Sequence, residues 1–184
     1  EKNIKNIGKP ASFNKIIQEA IENKKWDILV QIDADTIPDS ENLLIKLIEP
    51  ITKNYGHTAL TCGNILPLEP KNYIEKIAFI GIQDFYSEII EEKGVKGIVN
   101  RCNGRAMAFN LNLIKELKLP ENILDDDRYQ FYWAVSNGYE VIFAPKAKIF
   151  YRLPSTLKDY IYQLARYKDS TAHKYFEKNI VKSL

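Results

Sequence analysis

The stretch that decides the fold is Trp26-Asp27-Ile28-Leu29-Val30-Gln31-Ile32-Asp33-Ala34-Asp35. Its residues 26–33 form a mostly apolar run, which predicts a short buried strand. Two carboxylates, Asp33 and Asp35, come where this strand ends. If the extended conformation continued through them, both side chains would project to the same face of the sheet. Ligands of α/β proteins bind at the carboxyl ends of strands, so we expect a binding site here.

Helical and strand-like patterns alternate outward from this stretch. The apolar spacing predicts helices over residues 10–24, 74–89 and 126–137, a helix capped by Asp39 or Ser40, and a final amphipathic helix from residue 155 towards 178. Strands are predicted over residues 58–66, 105–110, 139–144 and 147–151. This alternation indicates one layered α/β domain, and the closely spaced later strands favour a mixed sheet over a purely parallel one.

The composition fits one globular domain and excludes several classes of protein. The chain has 184 residues, 45% of them hydrophobic, which is enough for one domain with a real core. Lysine plus arginine number 26 and aspartate plus glutamate 24, so the net charge of +2 argues against a nucleic-acid partner. No apolar run approaches the ~18–20 residues of a membrane span, and no signal peptide opens the chain.

The two cysteines, Cys62 and Cys102, provide no disulfide framework. They also lack the CxxC spacing of a zinc site. We therefore expect two buried free thiols in a reducing compartment.

Asp33 and Asp35 have three interpretations. Hard oxygen donors at a strand end suit Mg²⁺ or Mn²⁺ held jointly with the phosphates of a substrate. An acidic turn that caps the next helix would need no ligand at all. An apolar strand followed by Asp-x-Asp also opens haloacid-dehalogenase-like phosphatases, in which the first aspartate, here Asp33, is the nucleophile. Those enzymes usually place a threonine four residues later, whereas Thr36 is three residues after Asp33.

A second acidic group, Asp125-Asp126-Asp127, stands at the start of a predicted helix. The helix dipole favours carboxylates there, which accounts for the group without any catalytic role. Three adjacent carboxylates also repel one another, so one of them can titrate high and serve as a general base. The preceding residues 119–122 predict a loop, from which such a base could face a pocket.

A third group lies on the final predicted helix. Gln163 and Arg166 are three residues apart and share a face, with Tyr167 beside them. An amide, a guanidinium fork and an aromatic ring could together hold a diphosphate and a sugar. A solvated helix face is the alternative for a Gln-x-x-Arg pair on its own.

Taken in order, these motifs resemble glycosyltransferase family 2, particularly its membrane-associated members that make polysaccharides. The landmarks are spread over nearly the whole chain. They are Gly8-Lys9 with Asn14; Asp33-Ala34-Asp35-Thr36-Ile37-Pro38; Asn103-Gly104-Arg105-Ala106-Met107-Ala108-Phe109; Asp126-Asp127; Gly138-Tyr139 with Ala144-Pro145 and Ala147; and Pro154 before Gln163, Arg166 and Tyr167. The phosphatase interpretation accounts only for the Asp-x-Asp motif.

The resemblance implies a GT-A fold, with three layers α/β/α, and a metal-dependent, inverting transfer from a nucleotide-activated sugar. Asp35 would bind Mg²⁺ or Mn²⁺, with Asp33 on the ribose or beside the metal. The cation would neutralise the leaving diphosphate. Asp127 would be the base that takes the proton of the acceptor hydroxyl, with Asp126 the close alternative.

The resemblance also implies the binding residues and the partners. The donor would be bound by Lys9, Asn14, Asp33, Gln163, Arg166 and Tyr167, and the substrate sugar by Gly104 and Arg105. Gly104 would let the backbone approach the sugar closely. The implied partners are a UDP-sugar and a glycan or lipid-linked acceptor, on the cytoplasmic face of a membrane.

The chain departs from the family pattern at three places. Tyr167 replaces the usual tryptophan, and Tyr151 stands where many relatives carry a histidine that joins the metal shell. Family members begin with a strand-loop-helix-strand unit that seats the base and ribose, and this chain starts after it. Because it also begins at Glu1 and its only methionine is Met107, we expect a segment of a longer protein whose uracil pocket lies upstream.

Two matters stay open after the resemblance. The final helix, extended over residues 155–182, could lie along a membrane surface or pack as an ordinary helix on the sheet. Relatives with this helix usually carry membrane spans nearby. A degenerate domain of the same family, kept for binding or assembly, is the non-enzymatic alternative.

Overall fold

The structure, a computed structural model, describes residues 7–91 and 102–168. Five strands and five helices alternate along this part of the chain. The strands are β1 Ile28–Ile32, β2 Thr36–Pro38, β3 Thr58–Pro67, β4 Ala106–Asn110 and β5 Glu140–Tyr151. The helices are α1 Lys9–Asn23, α2 Leu43–Lys53, α3 Tyr73–Glu91, α4 Asp126–Ser136 and α5 Leu157–Lys168. The predicted α/β organisation is confirmed.

The strands form one mixed sheet in the order β1-β4-β3-β5-β2. β3 and β5 are parallel, and the other three pairs are antiparallel. β1, β3 and β5 therefore end at the same edge of the sheet, and β4 begins there. This carboxyl edge carries Asp33 directly after β1 and Gly104-Arg105 directly before β4. The mixed sheet expected from the sequence is confirmed.

Helices cover both faces of the sheet. α1 packs on one face through Phe13, Ile17 and Ala20, which recur about once per helical turn, and α4 joins it through Phe131 and Ala134. α2 packs on the other face through Leu43, Leu47 and Ile51, joined by Ala78 of α3 and Tyr160 of α5. Successive residues of β4 point alternately into the two cores. The three-layer α/β/α arrangement is confirmed.

β5 runs through Pro145, where the sequence predicts a break between two strands. Its pairing with β3 shifts there, from Gly63↔Ala144 to Asn64↔Lys148, so residues 145–147 bulge out of the ladder. Gly63 faces this bulge, and a Cβ there would lie 2.9 Å from the carbonyl oxygen of Ala147. The two predicted strands are thus one irregular strand, because the bulge accommodates the proline without ending the pairing.

Two predicted helix boundaries differ from the structure. α2 begins at Leu43 with Asn42 as its N-cap residue, so the predicted cap at Asp39 or Ser40 is wrong. The Asp39 N–H donates to the carbonyl oxygen of Lys148 at 3.0 Å, so the chain still runs beside β5 at this point. α5 begins at Leu157, and the predicted continuation of this helix beyond residue 168 lies outside the described residues.

The two cysteines form a disulfide between Cys62 of β3 and Cys102, which lies shortly before β4. The expectation of two free thiols is therefore wrong. The residues are 40 positions apart in the sequence, and only the antiparallel pairing of β3 with β4 brings their Cα atoms to 5.2 Å. Both are buried, and the disulfide ties the loop that carries Gly104 to the centre of the sheet.

Candidate active site

The first acidic motif lies at the carboxyl edge of the sheet, in a tight turn. The Asp33 N–H still donates to the carbonyl oxygen of Arg105 at 3.0 Å, which continues the pairing of β1 with β4. The Thr36 hydroxyl then donates to the Asp33 carbonyl oxygen at 2.7 Å and closes the turn. The extended conformation therefore stops before Asp35, and the expectation of two carboxylates on one strand face is wrong. The turn leaves a third of the Asp33 side chain exposed, and Asp35 is exposed.

Lys9, the first residue of α1, connects the two acidic motifs. Its Nζ lies 3.5 Å from Oδ1 of Asp33 and 3.3 Å from Oδ2 of Asp126. Burial works to lower the pKa of Lys9, but the charges of Asp126, Asp33 and Asp127 outweigh it, so the pKa is raised. The ammonium group is thus a fixed positive charge among three carboxylates, and it joins α1, the β1 turn and α4.

Gly104 and Asp127 form the opposite side of the same site. The Gly104 N–H donates to Oδ2 of Asp127 at 3.0 Å, and the Arg128 N–H donates to Oδ1 at 2.9 Å. These two bonds fix the orientation of the Asp127 carboxylate. A Cβ at Gly104 would lie 3.2 Å from both Nζ of Lys9 and Cβ of Asp127. The loop therefore reaches this close only because residue 104 is glycine.

Asp126 is the buried neighbour of Asp127. Its side chain is 12% exposed and faces the Lys9 ammonium. Burial raises the pKa of the Asp126 carboxyl, Lys9 opposes this, and the charge of Asp127 raises the pKa further. Asp127 is half-buried and thus the more accessible of the two. Asp125, the N-cap residue of α4, makes no side-chain capping bond to the helix, and Asp126 and Asp127 lie in its first turn, where the helix dipole favours carboxylates.

Arg105 lies beside this cluster and stacks on the end of β5. Its guanidinium carbon is 4.2 Å from the centre of the Tyr151 ring, a cation–π arrangement. Oδ1 of Asn103 accepts hydrogen bonds from the Arg105 N–H at 3.2 Å and from its Nη1 at 3.4 Å. Tyr151 occupies the position at which the family resemblance implies a histidine. Here its ring packs against the guanidinium group of Arg105.

Asn14, another predicted donor-binding residue, supports a neighbouring loop. The Asn14 amide pairs with the backbone of Leu119 in both directions, at 2.8 Å each, so these groups hold the 119–122 loop. Gln163 is half-buried on α5. The side chains of Arg166 and Tyr167 lie outside the described residues. Their role stays a prediction.

Two residues that support the site were missed by the sequence analysis. Gln31 Nε2 donates to the Gly104 carbonyl oxygen at 2.7 Å and holds the loop from the sheet side. Thr36 closes the acidic turn through its hydroxyl. Gln31 was detectable in principle, because it is the one polar residue in the apolar run 28–32 and lies two positions before Asp33.

The residues present fit a divalent cation shared with a ligand. Among the described residues, no group of three or more histidine, cysteine, aspartate or glutamate side chains could enclose a metal. Asp33 and Asp35 offer carboxylate oxygens on the turn after β1, where Asp33 is partly exposed and Asp35 is exposed. Mg²⁺ commonly binds through one or two carboxylates plus phosphate oxygens of a substrate, and Asp33 and Asp35 suit that arrangement.

Comparison with solved structures shows the same fold in a sugar-transferring enzyme. Of the solved structures, 31 chains match. One is the mannosyltransferase PcManGT from Pyrobaculum calidifontis, in complex with GDP-Man and Mn²⁺, with a TM-score of 0.55 and 16% identity. The alignment covers 82% of this chain and 38% of that one, so the chain spans well under half of the mannosyltransferase. The predicted GT-A-like fold is confirmed.

The sequence comparisons identify the family. No curated protein sequence matches the chain significantly. The profile of the family described as Glycosyltransferase like family 2 matches residues 3–170, a span that contains Lys9, both acidic motifs, Gly104 and Gln163. This match favours a glycosyltransferase over the phosphatase interpretation, which rested on the first acidic motif alone. The chain belongs to glycosyltransferase-like family 2.

Proposed function

We propose that this domain transfers a sugar from a nucleotide-sugar donor to a hydroxyl group of a glycan or lipid-linked acceptor, with inversion at the anomeric carbon. The observation that carries the proposal is the convergence of Lys9, Asp33, Gly104, Asp126 and Asp127 at the carboxyl edge of the sheet. Three elements distant in sequence meet there around one ammonium group. Family membership supports the reaction class.

Asp127 is the proposed general base. Its two backbone hydrogen bonds orient the carboxylate, and it is more exposed than Asp126. In the transfer step, Asp127 takes the proton of the acceptor hydroxyl while the hydroxyl oxygen bonds to the anomeric carbon. The bond from that carbon to the diphosphate breaks at the same time, and the nucleoside diphosphate leaves with the electron pair. Asp126 keeps Lys9 in place.

Asp33 and Asp35 are the proposed ligands of Mg²⁺ or Mn²⁺, which would neutralise charge on the leaving diphosphate when bound. The Lys9 ammonium, 3.5 Å from Oδ1 of Asp33, adds a permanent positive charge. Gly104 and Arg105 would contact the sugar end of the donor. Gln163, Arg166 and Tyr167 of α5 complete the proposed diphosphate site, as their family motif implies.

The proposal is tested by titrating nucleotides into the protein in a calorimeter. UDP and GDP are each added with and without Mn²⁺, because the sequence resemblance favours uridine and the mannosyltransferase was solved with GDP-Man. The same titrations are made with Asp35→Asn, and Asp39→Asn is the control on the exposed chain just after β2. We expect nucleotide binding that requires Mn²⁺ and is lost only in Asp35→Asn.

The contrary outcomes point to different faults. Nucleotide binding of equal strength with and without Mn²⁺ would remove the role of Asp33 and Asp35 as metal ligands. Binding of neither nucleotide nor Mn²⁺ would support the non-catalytic, degenerate domain instead. Capture of a phosphoryl analogue on Asp33, without any nucleotide, would restore the phosphatase.

We also propose that α5 approaches the cytoplasmic face of a membrane. Leu157, Ile161 and Leu164 recur at helical spacing and are 58%, 57% and 49% exposed. Of the helices in residues 7–91 and 102–168, none is long and apolar enough to cross a bilayer. Cosedimentation with anionic vesicles should fall when Ile161 is replaced by Ser, and unchanged sedimentation would contradict the proposal.

A further inference from the structure

Over residues 157–165, α5 exposes most of its side chains. In its described side chains, only Tyr160 and Gln163 are partly buried, whereas Tyr162 is 70% exposed. Tyr160 packs into the core beneath α2, and its hydroxyl lies 4.0 Å from the place of a Cβ on Gly81 of α3. The contacts of the segment that leads into α5 therefore bear on the direction of the helix.

That leading segment is held by polar groups at the start of α3. Glu75 is 3% exposed, and its Oε2 accepts hydrogen bonds from the Lys71 N–H at 2.6 Å and from Nη1 of Arg152 at 3.2 Å. Nη1 of Arg152 also donates to the Glu69 carbonyl oxygen at 2.8 Å. Arg152 directly follows β5, so this buried carboxylate holds the point where the chain leaves the sheet towards α5.

Asn72 adds a second attachment at Ser155, two residues before α5 begins. Its Nδ2 donates to the carbonyl oxygen of Ser155 at 3.2 Å, while its Oδ1 accepts from the Glu75 N–H at 2.9 Å. One side chain thus caps α3 and holds the approach to α5. The contacts of Glu75, Arg152 and Asn72 are named here the α3 clamp.

We infer that Glu75, Arg152 and Asn72 are positioning residues, which set the direction of α5 and thereby place Gln163 and Arg166 for the donor diphosphate. Only the placement of Gln163 and Arg166 for the diphosphate rests on the proposed function. A buried carboxylate with two donors resists displacement, because moving it would leave its charge unpaired. The α3 clamp therefore holds α5 at its N-terminal end. A small change in the direction of the helix at this end displaces residues further along it, such as Gln163 and Arg166, by a larger distance.

The first test measures hydrogen exchange over residues 153–168 in the nucleotide-free protein. Glu75→Gln keeps the shape of the side chain and removes its charge. We expect exchange in this segment to rise by about tenfold, as loss of a charge-assisted buried hydrogen bond implies, with the exchange of β3 and β4 unchanged. Glu49→Gln is the matched control, since Glu49 also pairs with a basic side chain, that of Lys53, but on the exposed surface of α2.

The second test measures sugar transfer by the same variants. Glu75→Gln should raise KM for the donor by about tenfold and leave kcat within about twofold, because binding geometry is altered but the base is not. Arg152→Lys, which keeps the charge, should recover part of the loss. A merely structural role would lower the melting temperature without this separation of KM from kcat.

Three outcomes are decisive. Unchanged exchange over residues 153–168 in Glu75→Gln would overturn the clamp. Raised exchange with an unchanged donor KM would support the clamp and contradict the diphosphate role of α5. If Glu75→Gln fails to fold, Asn72→Ser retains an N-cap oxygen for α3 and removes only the bond to Ser155. Raised exchange in Asn72→Ser would then support the inference, and unchanged exchange would overturn it.

Discussion

At the residue scale, Asp126 and Asp127 are adjacent in sequence and have different surroundings. Asp127 is fixed by two backbone N–H groups, whereas Asp126 is buried against Lys9. We predict that Asp127→Asn lowers kcat by about 10²–10⁴-fold, the usual contribution of a general base. Affinity for the nucleotide should change by less than about twofold, because the base acts on the acceptor. Steady-state kinetics and calorimetry on the same samples measure both.

The neighbouring substitution Asp126→Asn is the matched control for Asp127→Asn. It keeps the side-chain shape and removes the main partner of Lys9. We expect a weaker donor interaction through a displaced Lys9 and a smaller loss of kcat. Full kcat in Asp127→Asn, together with an inactive Asp126→Asn, would transfer the role of base to Asp126.

The raised pKa of Asp126 predicts a pH dependence of stability. Burial raises this pKa above its ordinary value of 3.8, so folding favours the protonated carboxyl. The stabilisation is fully present below 3.8 and is lost as the pH rises through the folded-state pKa. Asp126→Asn has no carboxyl group to titrate at this position and so does not lose this stabilisation. As the pH rises from 3.8 through the folded-state pKa of Asp126, the unfolding free energy of Asp126→Asn minus that of the native chain should therefore increase. Urea denaturation at a series of pH values checks it, and a parallel pair of curves would contradict it.

Gly104 gives a test of close approach at the same scale. A Cβ at this position would lie 3.2 Å from Nζ of Lys9 and from Cβ of Asp127, so Gly104→Ala must displace the loop. We predict a loss of about 1–3 kcal/mol in the free energy of unfolding, as in other overpacked sites, and a loss of transfer activity. Gly56→Ala is the control, because nothing lies within 4 Å of its Cβ. Equal activity in both variants would show that the loop has room to move.

At the scale of elements, the disulfide joins β3 to the segment before β4. It closes a loop over 40 positions, for which chain entropy gives a stabilisation of about 2–4 kcal/mol. Reduction should lower the urea midpoint accordingly and should loosen the loop that carries Gly104. The double variant Cys62→Ser/Cys102→Ser should match the reduced protein and be insensitive to reductant. A midpoint that does not respond to reductant would contradict the prediction.

The elements also show where sequence reasoning succeeds. The apolar spacing of Phe13, Ile17 and Ala20 gave α1, and the run 26–33 gave β1, because each pattern is local. The bulge of β5 at Pro145 and the late start of α2 depend on pairing with distant strands. These pairings cannot be recognised in the local sequence, so the predicted boundaries of β5 and α2 differ from the observed ones.

At the scale of the whole molecule, the order of short motifs predicted the family and the three-layer fold. The same order placed Lys9, Asp33 and Asp127 in one site, and the structure brings these residues together. The prediction for the two cysteines was wrong, and the bond of Asn14 to Leu119 was not predicted, because these partners are defined only by the folded chain. Motif spacing thus predicted the charged residues of the site better than the residues that hold its loops in place.

β1 lies at one side of the sheet and, in the described part of the chain, pairs with a strand on only one of its edges. Trp26 and Ile32, at either end of β1, are 56% and 40% exposed. An open strand edge flanked by apolar side chains is a template for a further strand, and two copies can pair through it. Preparations of this domain should therefore self-associate as the concentration rises, and a lysine in place of Ile32 should keep them monodisperse in sedimentation velocity.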